Sequence, residues 1–332
     1  MWFYNDTHNN TDILLACKKH NPQTIYINTD TEWFWRIEKS EVDQLKSYGV
    51  QNIHIIFSSF SSNFYKEYYE PRGIPVSNLT FWPTFWFNWA ERLLVGNRNT
   101  YKTQTYSDFK YPFISLNNKS HDHRCAMIDM IVKYDLLDKG IVTWNKTPYP
   151  NLTYKFKHYD NSFRGLDDDF VNLLDSFLIC KEQHQSFLHV IGEATTTVPF
   201  ITEKSVVPML YKKPFITIGS TNFNQYLRNL GFELFEEIFD YSYDSVDNIE
   251  DRAEGMIKNL AYIINENTTL LYKKLLPKLE HNYNRVWEII KDKKYIPEII
   301  QNRYYDLASQ KNPIVEGYDG RYQIFMKQII AN

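Results

Sequence analysis

A chain of 332 residues, 43% hydrophobic and 23% charged, can build real cores, falls outside the disordered class and favours two domains of ordinary size. Its net charge of −3 disfavours a broad nucleic-acid surface, although a local patch such as Lys18-Lys19-His20 stays open. No segment approaches about 18 continuous apolar residues, so no membrane span is expected.

The N-terminus has no basic region followed by an apolar run, so no signal peptide is expected. Cys17, Cys125 and Cys180 are scattered and odd in number, with neither metal spacing nor a disulfide pattern. A reducing, cytoplasmic location is the expectation. Aromatic residues make up 17% of the chain, which suits sugar-stacking surfaces; an AT-rich coding bias explains it more simply.

Residues 1–110 read as a first α/β domain with its linker. A strand starts at Thr24 and ends at Asp30. A helix spans Lys39 to Tyr48, with Ser40 as cap and Gly49 at its end. Asn52 to Phe57 is the next strand, ending in Ser58-Ser59. Asn63 to Tyr69 reads as a helix that stops at Pro71. Phe81, Trp82, Phe85, Trp86, Phe87 and Trp89 then cluster, with a helix expected over 84–94. The cluster suits a core or an interdomain wall, or else an acceptor platform. Residues 95–110 are polar and aperiodic, as a linker would be.

Residues 111–332 read as the second domain. Phe113 to Leu116 is a strand, and Asn117 opens a polar turn. A helix with Arg124 in its first turn runs from Asp122 to Gly140, and Ile141 to Trp144 is another strand. An arginine beside free helix N–H groups suits a diphosphate. The plainer reading pairs Arg124 with Asp122 or Asp129. The run Asp167-Asp168-Asp169 precedes apolar residues at helical spacing, so it reads as a helix start and not as a metal site.

The most informative stretch is 186–219. It reads as strand, polar loop, helix and strand: Phe187 to Ile191, then Glu193 and a Thr-rich loop, a helix opened by Thr202-Glu203-Lys204, and Phe215 to Ile218. Ligands of open α/β sheets bind at the carboxyl ends of such strands. Lys204 can offset phosphate charge at a helix start, while Glu203 and Glu193 can accept from sugar hydroxyls. Alternatively, Glu203 and Lys204 are a surface pair on a helix capped by Thr202. A short helix at 223–230 follows, closed by Gly231. A long helix is expected over 245–265, Pro277 is expected to interrupt the next, and 296–332 reads as helical with breaks at Pro313 and Gly317. Dinucleotide-binding and P-loop glycine motifs are absent, which removes dehydrogenase and P-loop readings.

Phe200-Ile-Thr-Glu-Lys-Ser205, the small apolar helix after it and Lys213-Pro-Phe-Ile together resemble the donor-binding segment of the fucosyltransferases of glycosyltransferase family ten. Glu193-Ala-Thr is similar to a group of glycosyltransferase-like proteins of viral and bacterial sugar-coat clusters. The specific match covers 186–252, with weaker support over 111–144 and none in the first hundred residues. The resemblance implies a GT-B fold: two Rossmann-like α/β domains, a donor cleft between them and a helical C-terminal tail, in which 320–331 crosses back onto the first domain. It implies inverting, metal-independent transfer of a sugar from a nucleotide-diphosphate donor, GDP-fucose first, to a glycan acceptor, with no cofactor.

On the same resemblance, Arg124 and Lys204 stabilise the leaving diphosphate. Asn117 matches an Asn-containing turn. Thr202, Glu203 and Glu193 hold ribose or sugar, with Glu193 also placed among the catalytic residues. Tyr243 and Asp244 face the donor base or sugar, or else Asp244 caps the long helix. His121 and His123 match nothing in the family. The catalytic base is expected from the first domain, where Asp30 at a strand end ranks before Glu32, Glu67, Glu70 and Glu91. Competing readings are a GT-B enzyme with another donor, such as UDP-glucose acting on modified DNA, a non-catalytic sugar-binding module, and a structural protein of a glycan-assembly complex.

Overall fold

The structure, a computed structural model, describes residues 2–4, 10–29, 36–83, 108–117, 119–144, 152–155, 157, 181–292 and 295. These divide into two compact units, one from the described residues of Met1–Glu91 and Ile290–Asn332, the other from those of Arg92–Ile289. Each is mixed α/β around a four-stranded parallel sheet.

In the first unit the order is β1 (Trp2–Tyr4), α1 (Asn10–His20), β2 (Thr24–Thr29), α2 (Lys39–Ser47), β3 (Asn52–Phe57), α3 (Asn63–Tyr69) and β4 (Leu79–Phe81). The strands lie in chain order, β1-β2-β3-β4. Ile25 stands opposite Ile53 and Ile27 opposite Ile55, so the apolar alternation of both strands falls on one face. That face packs on Ile13 and Cys17 of α1, Val42 and Leu45 of α2, and Tyr65 and Tyr69 of α3. The cap of α2 is Glu38, not Ser40: the Glu38 N–H donates to Glu41 Oε2 at 2.8 Å, and Ser40 lies inside the helix.

The second unit runs β5 (Tyr111–Asn117), α4 (Asp122–Lys133), β6 (Ile141–Trp144), α5 (Lys181–Gln185), β7 (Ser186–Gly192), α6 (Glu203–Leu210), β8 (Phe215–Ile218), α7 (Phe223–Asn229), α8 (Ile249–Ile263) and α9 (Thr268–Lys291). Its strand order is β6-β5-β7-β8. From β5 the chain steps to β6 on one side, then returns to place β7 on the other. The order therefore reverses between β5 and β7. Every residue of β7 and β8 is buried, as strands covered on both faces should be.

Three expected boundaries move. Helix α4 stops at Lys133, well before Gly140, because Asp135 takes a left-handed φ of 56° and ends the turn. Helix α8 starts at Ile249, not Ser245, because the Asn248 side chain accepts from the N–H groups of Glu250 at 2.9 Å and Asp251 at 3.1 Å. Helix α9 runs through Pro277. The proline removes one backbone bond, but the buried stripe of Tyr272, Leu275, Leu279, Val286 and Ile289 continues on both sides of it and holds the helix together.

The expected aromatic helix at 84–94, the Asp167–Asp169 run and the crossing helix at 320–331 lie outside the described residues. Among the described residues no helix is long and apolar enough to cross a membrane. Cys17 and Cys125 are buried, free thiols.

Candidate functional site at the strand-order reversal

Parallel strands present their carboxyl ends at one edge, and a reversal of strand order parts the two loops that follow it. Here those loops lead from β5 through Asn117, Lys119 and His121 into α4, and from β7 through Glu193 and Thr202 into α6. Asn117, Arg124, Glu193, Thr202, Glu203 and Lys204 all fall on this edge.

Glu193 joins the two sides. Its main-chain carbonyl accepts from Arg124 Nη2 at 2.9 Å and from His123 Nε2 at 2.7 Å. A carbonyl only accepts, so Nε2 of His123 carries the proton. The Glu193 carboxylate turns the other way. It accepts from Thr202 Oγ1 at 2.6 Å and Ser205 Oγ at 2.5 Å, and from the N–H groups of Ala194 at 3.2 Å and Thr202 at 3.3 Å. The residue is fully buried. Burial raises its carboxyl pKa above the usual range, against the charge of Lys204 and the two hydroxyls.

Thr202 serves both sides of that link. Its hydroxyl donates to Glu193 and accepts the Lys204 N–H at 3.3 Å, so it is the expected cap of α6. Lys204 Nζ lies 2.6 Å from Glu203 Oε1 and 3.5 Å from Thr202 Oγ1. Both partners of the Glu203–Lys204 pair keep about a quarter to a third of their side chains exposed, at 30% and 26%. Burial alone would raise the Glu203 carboxyl, but the Lys204 charge and hydrogen bond outweigh it and hold it low.

Arg124 is more deeply placed than either sequence reading assumed. It is 4% exposed. Besides Glu193, it donates through Nε to the Gly192 carbonyl at 3.1 Å and through Nη1 to that of Lys119 at 3.4 Å. It is a strut fastening the end of β7 to the start of α4. Gly192 makes room for it: a Cβ there would stand 2.7 Å from Arg124 Cγ. Asp122 accepts from the N–H groups of Thr153 and Tyr154 and from the Thr153 hydroxyl, and Asp129 accepts from the Tyr154 hydroxyl. These two acids anchor the described part of 152–157 to α4.

His121, the cap residue of α4, is half-buried and stacks on His123 with ring centroids 5.7 Å apart. Burial, and then the charges of Arg124, Lys119 and Lys204, push its pKa down to about 4. One ring therefore feels the cations of both helix starts. His123, fully buried and beside the Arg124 guanidinium, is held well below its ordinary value. Sequence reasoning left both histidines unassigned; the signal was His-x-His ahead of an arginine at a helix start. Asn117 is 3% exposed, donates through Nδ2 to Ser115 Oγ at 3.0 Å, and keeps a buried Oδ1 with no partner among the described residues.

Tyr243 and Asp244 lie past β8, and their polar atoms are engaged within the fold. Asp244 accepts from the N–H groups of Asn224 at 2.9 Å and Gln225 at 3.1 Å. It thus caps the short helix α7, not the long helix α8. The Tyr243 hydroxyl donates to the Thr217 carbonyl at 2.9 Å. Arg252 donates to the Gly219 carbonyl at 2.8 Å, holding the end of β8 as Arg124 holds that of β7.

Of the candidate bases, Asp30, Glu32 and Glu91 lie outside the described residues, and Glu67 and Glu70 are exposed on and just after α3. Among the described residues no group of three or more His, Cys, Asp or Glu side chains is gathered to hold a metal ion.

No protein-family model and no curated protein matches the chain. Among solved structures, a glycosyltransferase from Rickettsia africae ESF-5 is similar, with a TM-score of 0.36 and 13% identity over 88% of this chain and 82% of that one.

Proposed function

We propose that the chain is a glycosyltransferase whose second unit binds a nucleotide-diphosphate sugar at the carboxyl edge between β5 and β7. The observation that carries this reading is the strand-order reversal flanked by two helix starts, with Lys204 on one and Lys119, His121 and Arg124 at the other. Helix N-termini and cations together suit a polyanion. The resemblance of 200–205 to a fucosyltransferase segment selects the sugar-nucleotide class among polyanions, with GDP-fucose as the first donor to test.

In this reading Lys204 meets the diphosphate directly. Arg124 contributes its positive field and the placement of α4, since its guanidinium is engaged with backbone carbonyls. Both cations stabilise the charge that develops as the diphosphate leaves. Glu203 and the buried Asn117 Oδ1, unpartnered among the described residues, are acceptors for donor hydroxyls. An acceptor hydroxyl attacks the anomeric carbon and gives its proton to a carboxylate, for which Asp30 is the first candidate. The reaction needs no metal, because the cations serve the phosphates.

A thermal-shift panel of GDP, UDP, CMP and dTDP sugars tests the reading, followed by nucleotide release in the presence of glycan acceptors and EDTA. Stabilisation by one nucleoside-diphosphate class, with release of that nucleotide under EDTA, is expected. Binding without release would leave a sugar-binding module, and stabilisation by none would remove the site.

A further inference from the structure

We infer that Glu193 is a positioning residue that sets the two cationic helix starts against each other, and that it does not touch the ligand itself. This rests on the diphosphate site proposed above and names what holds that site in shape.

The division of its atoms carries the inference. Glu193 follows directly on β7, and its main chain and its side chain lead to different helices. Its carbonyl oxygen is the shared acceptor of His123 and Arg124, from the first turn of α4. Its carboxylate holds Thr202 and Ser205, the cap and a first-turn residue of α6. One residue therefore ties the start of α4 through the main chain and the start of α6 through the side chain. Both carboxylate oxygens accept hydrogen bonds at 2.5–2.6 Å from hydroxyls, and the residue has no exposed surface. A ligand hydroxyl would have to displace Thr202 or Ser205 to reach it.

The tie continues to Lys204. The Thr202 hydroxyl that donates to Glu193 also accepts the Lys204 N–H at 3.3 Å. A change at Glu193 is thus transmitted through Thr202 to the turn that carries the Lys204 ammonium. Interactions that run through one shared partner are not additive.

The test uses the full chain, inorganic pyrophosphate as the probe, calorimetry for affinity and denaturant titration for stability. Glu193→Gln and Thr202→Val should each weaken pyrophosphate binding by about tenfold, the scale of a lost charged hydrogen bond. The double variant should bind no worse than the weaker single one, and Thr202→Ser, which keeps the hydroxyl, should bind like wild type. If Glu193 contacted the ligand directly, Glu193→Gln would weaken binding, Thr202→Val would not, and the inference would fall. If its role were only structural, both variants would lose stability while the folded protein kept wild-type affinity, which also overturns it. Wild-type protein that binds neither pyrophosphate nor any nucleoside diphosphate would sink this inference together with the proposed function.

Discussion

The two units use the same material differently. Both have four parallel strands and helical crossovers. In the first, each strand is laid beside the previous one in a single direction. Right-handed crossovers then put every helix on the same face, and α1, α2 and α3 do share one core. In the second, the step from β5 to β6 runs one way and the step from β7 to β8 the other. The same handedness now sends α4 and α6 to opposite faces, and the loops leading to them part at the strand ends. The polar edge residues differ accordingly. In the first unit the Ser59 hydroxyl donates to the Tyr65 hydroxyl within its core, while in the second Glu193 bridges two helix starts and Asn117 keeps an oxygen with no partner among the described residues. A polar edge that links two helix starts is thus a product of strand order more than of composition.

Replacing the struts tests that contrast most severely. Arg124→Met and Arg252→Met should each destabilise the second unit by roughly 3 kcal/mol, since buried carbonyls at a strand end lose their donors. In denaturant titrations the two should look alike. In pyrophosphate calorimetry only Arg124→Met should lose binding, because β8 lies one strand away from the reversal. Equal loss of binding in both would mean that the site is not confined to the edge between β5 and β7.

Glycines sharpen the same point at a smaller cost. Gly192→Ala places a methyl group 2.7 Å from Arg124 Cγ, whose side chain is fixed by its hydrogen bonds. About 2 kcal/mol of stability and most of the pyrophosphate affinity should be lost, through overpacking. Gly49, in the first unit, has nothing within 4 Å but a φ of +89°. Gly49→Ala should cost about 1–2 kcal/mol in backbone strain and leave ligand affinity unchanged. Wild-type affinity in Gly192→Ala would separate the Arg124 strut from the site.

The central elements of both units, such as α2, β3, β5 and β7, were legible because their apolar patterns are unambiguous, while β1, α1, β4 and α5 went unread. Phe187 to Ile191 is a continuous apolar run between turn signals, and it is a wholly buried strand. Thr202 was legible as a cap because its place before a periodic helix is local information. Strand order was not, because nothing near β5 or β7 records which neighbour each will take. The role of Glu193 was hidden for a related reason: half of it is played by a carbonyl oxygen, which every residue possesses. Asp244 looked like a cap for the helix after it, yet it caps α7, twenty residues earlier in the chain. Pro277 looked like a helix break because propensity is local and the buried stripe that overrides it is not.

The opposite edge of the second sheet offers a milder, pH-dependent contrast. Lys213 is fully buried at the start of β8, donating to the carbonyls of His184 at 2.7 Å and Ser186 at 2.8 Å, with the Phe109 ring 4.7 Å away. Burial lowers its pKa to about 6. Between that value and the unfolded value of 10.5 the unfolded chain binds a proton that the folded chain does not. Stability contributed here therefore rises with pH through that window, by at most about 1.4 kcal/mol per pH unit. Denaturant titrations from pH 6.5 to 8.5 should show the rise, and Lys213→Met should flatten it. A slope unchanged in Lys213→Met would place the titration elsewhere.

The smallest effect on stability should come from Lys204. Its ion pair with Glu203 is partly exposed, and such pairs contribute about 0–1 kcal/mol. The cap of α6 survives without the ammonium, because Thr202 accepts the Lys204 backbone N–H and not its side chain alone. Lys204→Ala should therefore unfold within about 0.5 kcal/mol of wild type, as surface changes usually do. Its ligand affinity should fall by roughly tenfold or more, the worth of a charged hydrogen bond to phosphate. Lys204→Arg should retain part of the affinity, since the charge stays at the helix start. Opposite behaviour, with stability lost and pyrophosphate affinity kept, would make Lys204 a brace for Glu203 and leave the edge between β5 and β7 without the cation proposed to meet the diphosphate.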